Sequence, residues 1–122
     1  MSWQGHEKRR FPRVSLPCTI IIKSSQKEFP SRTENISGGG IRIILEEPLE
    51  HATLVDIDLK LKEDVAVNCC GKIIWVVEKI HPDDKNARLY DVGIQFTKIS
   101  DDDRKAITDF IYMEVSQEEA QD

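Results

Sequence analysis

The chain has 122 residues, 39% of them hydrophobic and 32% charged, with a net charge of −5. That length suits one domain with its own core, and no apolar run approaches the ~20 residues of a membrane-spanning helix, so no membrane insertion is expected. The overall acidity argues against a nucleic-acid binder, which would carry a broad basic face. The three cysteines form no CxxC pair and have no histidine at ligand spacing, so they read as small apolar fillers of strands rather than a metal site.

Residues 1–13 read as a flexible basic arm. They lack the apolar centre of a secretion signal, which points to a cytoplasmic protein. Lys8, Arg9, Arg10 and Arg13 crowd into EKRRFPR, and residues 1–23 hold five bases against one acid in an otherwise acidic chain. A local patch of this kind suits a compact anion with a few phosphates; the alternative is a solvated tail.

From Leu16 onward the hydrophobic period is mostly two. CTIIIK (18–23), FPSRTENIS (29–37) and GIRIILEE (40–47) read as strands. LVDIDLKL (54–61) alternates most cleanly, with Val55, Ile57, Leu59 and Leu61 on one face. AVNCCGKIIWVVEK (66–79) is too long for one simple strand and is interrupted by Gly71, a bulge or bend. HPDDKNA (81–87) reads as a turn or loop and YDVGIQF (90–96) as the last strand, with Val92, Ile94 and Phe96 inward. Closely spaced strands with turn signals between them predict an all-β fold, a small six-stranded antiparallel barrel.

Ser100 is placed to N-cap a helix, with Asp103 at the capping-box position and three aspartates at the positive helix start. Ile107, Phe110 and Ile111 then form a stripe that packs on the barrel. Barrel and helix together span 14–115, and SQEEAQD (116–122) reads as an acidic, disordered tail. The aspartate run is expected to be a solvated helix start, not a cation site.

RTENISGGGIR (32–42) is the other unusual stretch. Asn35 and Ser37 lie two apart on a strand and share a face, while Ile36 turns into the core. Gly38, Gly39 and Gly40 follow, suggesting positive φ angles or close approach of something to the backbone. An amide, a hydroxyl and bare N–H groups make an uncharged hydrogen-bonding shelf, suited to a nucleobase edge or a phosphate. A glycine-rich hairpin whose Asn and Ser satisfy local backbone groups is the plainer alternative.

Arg9-x-x-x-Arg13, followed by Asn35-x-Ser37-x-x-Gly40, resembles the paired motifs RxxxR and (D/N)xSxxG of the PilZ domain. The resemblance extends to GKIIWV (71–76), DVGIQF (91–96) and the closing helix. It implies a PilZ-like barrel and a bacterial receptor for cyclic di-GMP rather than an enzyme, and no catalytic set of side chains is evident. By motif position, Arg9 and Arg13 would clamp phosphate and guanine with Arg10 as an extra contact. Asn35, Ser37 and Gly40 would meet guanine and ligand backbone, with Lys8, Gly38 and Gly39 beside them. Trp75 resembles an aromatic that lies beside a guanine in some members, or is a core or rim tryptophan of the barrel.

Guanidinium groups fit such a ligand because a planar fork pairs bidentately with phosphate or guanine O6/N7 and also stacks on a base. The resemblance further implies an adaptor that passes the signal to an unidentified protein effector. The resemblance also implies that the position next to Arg9 influences whether one or two nucleotides bind, and a cation there, Lys8, is expected to suit two per chain. No cofactor other than this ligand is expected. Two rival readings are a PilZ-like scaffold that docks a protein without nucleotide, and an OB-like barrel for single strands. The second would need basic residues that follow its aromatics.

Overall fold

The computed structural model describes residues 18–25, 27–62 and 64–121, the last seven of these by backbone alone. Six strands precede one helix: β1 (Thr19–Lys23), β2 (Glu28–Ser37), β3 (Gly40–Leu45), β4 (Leu54–Lys62), β5 (Val65–His81), β6 (Asp84–Lys98) and α1 (Asp101–Gln121). They close into an antiparallel barrel in the order β1-β2-β3-β6-β5-β4, as the strand spacing predicts. Among the described residues no helix is long and apolar enough to cross a membrane.

Register explains the core. Ile36 faces Ile41, Ile41 faces Ile94, and Ile94 faces Ile73, giving one isoleucine from each of four neighbouring strands. All four are buried, and each contributes about 1.5–3 kcal/mol relative to an exposed side chain. Val55, Ile57, Leu59 and Leu61 are buried on β4 as their alternation predicts. β-branched side chains suit this pleated, close-packed interior, so the sequence pattern and the packing agree.

Two expectations are sharpened along β5 and β6. Residues 65–81 form one strand of 17 residues, with register shifts at Cys70/Gly71 and again at Ile73/Trp75. The bulges let a long strand curve with the barrel instead of breaking. HPDDKNA does carry a turn, at residues 82–83, but a tight one: His81 still belongs to β5 and residues 84–87 already belong to β6. Asn86 N–H donates to Asp84 Oδ1 at 2.9 Å and Asp83 N–H to His81 Nδ1 at 3.0 Å, so the polar side chains serve the hairpin's backbone.

Ser100 Oγ accepts from Asp103 N–H at 3.0 Å, the N-cap bond that the sequence predicts. Ile107, Phe110 and Ile111 are buried against the barrel. The helical backbone continues through residues 116–121, where composition suggested a disordered tail. Gln, Glu and Ala are good helix formers, and they extend an existing helix without a new nucleus. Cys18 and Cys69 fill the core as expected, and burial pushes the Cys69 thiol up to about 12. Cys70 differs: it is half-buried and its thiol donates to Asp56 Oδ1 at 3.3 Å.

Candidate functional site

Asn35 and Ser37 both sit half-buried on the outer face of β2, with Ile36 buried between them. Ser37 pairs with Gly40 across the two-residue turn Gly38–Gly39. The Ser37 hydroxyl accepts from Gly39 N–H at 3.2 Å and donates to Gly40 C=O at 3.4 Å, so it fastens the turn from within. The Gly39 carbonyl accepts from Phe96 N–H at 3.0 Å, tying the shelf to β6.

None of these glycines has a positive φ. Close approach is the reason for Gly40: a Cβ there would overlap the backbone carbonyl oxygen of Ile94. The motif glycine therefore keeps β3 tight against β6 and, through that, keeps the shelf in place.

Two rows cross the barrel's outer surface. One runs Ser37, Gly40, Gln95, Lys72; the other runs Asn35, Arg42, Gly93, Trp75. Both lie over the isoleucine row, so the floor is rigid. Trp75 is on the outside rather than in the core, 36% exposed, and its indole covers Gly93. A Cβ at Gly93 would meet Cε2 and Cε3 of the indole at 2.5 Å each, with Cδ2 marginally closer, so the ring lies face-down on the strand.

Arg42 lies in the same outer row, outside both sequence motifs. Its Nε and Nη2 donate to Asp91 Oδ1 and Oδ2, both at 2.8 Å, and Lys79 Nζ lies 3.2 Å from Oδ2. Asp91 is the only buried charged side chain among the described residues, 7% exposed. The signal available in the sequence was a lone charge, Arg42, on the otherwise apolar strand GIRIIL; Asp91 is one of several charges on β6. Lys8, Arg9, Arg10 and Arg13 lie outside the described residues.

Arg42 chiefly, with Lys79 adding to it, holds the Asp91 carboxyl below its ordinary 3.8, against the opposing effect of burial. A lowered folded-state value means that the pair contributes stability above about pH 4 and loses it as pH falls through the lowered value. Asp91→Asn should therefore cost on the order of 2 kcal/mol at neutral pH. The gap to wild type should narrow as pH drops below the ordinary carboxylate value of 3.8 and through the lowered one. Urea midpoints across that range check this; a gap independent of pH would contradict it.

No curated protein sequence matches the chain, but solved structures share its fold. The PilZ domain of YcgR from Escherichia coli, solved with c-di-GMP, superposes with a TM-score of 0.74 at 18% identity, covering 94% of this chain and 98% of that one. Apo MrkH of K. pneumonia gives 0.81 at 17% identity, over 98% of this chain and 55% of its own. The Bacillus subtilis inhibitor of motility MotI/DgrA gives 0.76 at 16% identity, over 91% and 53%. This chain thus spans about half the length of MrkH and MotI. The PilZ domain family model matches residues 7–113, nearly the whole of the barrel-and-helix unit, and the chain belongs to that family.

Proposed function

We propose that this protein is a receptor for cyclic di-GMP that acts as an adaptor, changing conformation on binding and passing the signal to a protein partner. The observation that carries the reading is the convergence of Asn35, Ser37, Gly40 and Trp75 on one outer face of the barrel. A hydrogen-bonding shelf beside a flat indole matches the base edges and π-faces of a cyclic dinucleotide. The arginines Arg9, Arg10 and Arg13 supply charge for its phosphates. PilZ-domain structures solved with c-di-GMP support the ligand class.

Ligand at ~100 times its dissociation constant should stabilise the fold by about 2.7 kcal/mol. Calorimetry with neither heat nor a thermal shift at high micromolar cyclic di-GMP would refute the reading. It would favour the second one, protein docking without nucleotide, for which the exposed Val77 and Ile80 of the β5–β6 hairpin offer apolar surface. A pull-down with and without cyclic di-GMP identifies the effector.

Two nucleotides bind each chain in this proposal. An intercalated pair has four negative charges, which Lys8, Arg9, Arg10 and Arg13 match better than the two charges of one molecule. Titration well above the dissociation constant should give a ratio near two, falling toward one in Lys8→Leu. A wild-type ratio near one, unchanged in the variant, excludes that role for Lys8.

A further inference from the structure

We infer that Arg42 is a specificity-determining residue of this site, reading the O6/N7 edge of a guanine that stacks on Trp75, and that Asp91 is its positioning residue. The inference rests on the cyclic di-GMP reading and names a contact outside both sequence motifs.

The geometry starts from Gly93. Its missing Cβ lets the Trp75 indole lie face-down on β6, so the ring's outer face is roughly parallel to the sheet. A base stacked there is parallel to the sheet as well, and its edges point sideways over neighbouring strands. The neighbour of Gly93 on the other side is Arg42. Asp91 grips Arg42 side-on, through Nε and Nη2. The end-on pair of donors, Nη1–H and the second Nη2–H, is engaged by no other group among the described residues. A guanidinium held side-on by a carboxylate keeps its orientation and loses little further entropy when its other fork is used.

That end-on fork selects among purines. Guanine presents two acceptors, O6 and N7, along this edge. Adenine presents N7 beside the N6 amino group, a donor that would face a donor. Phosphate also accepts such a fork, but a phosphate is not held flat on an indole. Asp91 further lowers the cost of a half-buried cation near the barrel surface by pairing it, and Lys79 keeps that carboxylate charged.

The test uses cyclic di-GMP and cyclic di-AMP titrated into wild type, Arg42→Lys, Arg42→Gln and Asp91→Asn. Arg42→Lys retains a cation for Asp91 and so keeps the fold, but it has no fork. Both Arg42 variants should bind cyclic di-GMP at least tenfold more weakly, with little change toward cyclic di-AMP, so the preference between the two ligands narrows. Asp91→Asn should shift affinity and preference the same way by a smaller factor. A purely structural ion pair would lower ligand-free melting temperature while leaving affinity and preference as in wild type, and that result overturns the inference. Wild type that binds cyclic di-GMP with Arg42→Lys indistinguishable from it overturns this inference alone. Wild type that binds no cyclic di-GMP overturns the underlying functional reading as well.

Discussion

Gly40→Ala should lower the melting temperature by roughly 10 °C and remove most ligand binding. The new methyl group would overlap the Ile94 carbonyl oxygen, and that atom belongs to the backbone of β6, which cannot swing aside as a side chain could. Either β3 moves away from β6 or the turn at Gly38–Gly39 is rebuilt. Overpacking of this kind costs about 3 kcal/mol, which for a domain of this size is about 10 °C. Binding suffers separately, because the Gly39 carbonyl bond to Phe96 N–H and the Ser37 bonds to the turn depend on the same approach. Thermal melts and calorimetry on the variant check both parts. A melting point within two degrees of wild type would show that β3 has room there, and that the motif glycine serves the ligand alone.

Arg9→Ala and Arg13→Ala should show the opposite combination. Each removes charge-assisted bonds of about 1.5–3 kcal/mol, so cyclic di-GMP binding should weaken at least tenfold, a factor that corresponds to ~1.4 kcal/mol. The ligand-free melting point should move by no more than ~2 °C, since surface substitutions away from a core rarely exceed 0.5 kcal/mol. Arg13→Lys is the sharper variant: it keeps the charge, loses the planar fork and should still bind poorly. A substantial fall in ligand-free stability would make these arginines structural.

The core was the most legible part of the sequence. Alternation alone identified the inward residues of β4, and Val92, Ile94 and Phe96 of β6, because burial on one side of a strand leaves a period of two. The length of β5 was not legible. Gly71 signals a bulge correctly, but nothing local says whether a bulged strand bends or stops. His81, Asp83 and Asp84 carried a turn-or-loop signature for a similar reason: the same side chains suit a tight hairpin and a longer loop, and composition does not distinguish the two.

At the site, Asn35, Ser37 and Gly40 were readable because they are close in sequence. Arg42, Asp91, Gly93 and Trp75 meet only through the β3–β6 and β5–β6 registers, which no short window contains. For Gly40 the sequence offered close approach to the backbone as one of two reasons, but not what approaches, since the backbone that crowds it comes from the last strand.

The strand order β1-β2-β3-β6-β5-β4 has a kinetic corollary. The shelf belongs to a local hairpin, whereas the strand that crowds Gly40, anchors Arg42 and seats Trp75 arrives only after β4 and β5 have been laid down. Pairing of such distant segments is entropically slow and sits late in assembly. A molecule that needs both halves finds nothing to hold until that step is finished, so it has little leverage on how fast the barrel forms. Its leverage falls on escape, slowing the opening of the finished barrel. The messenger would then govern how long each bound copy persists rather than how quickly new copies become competent.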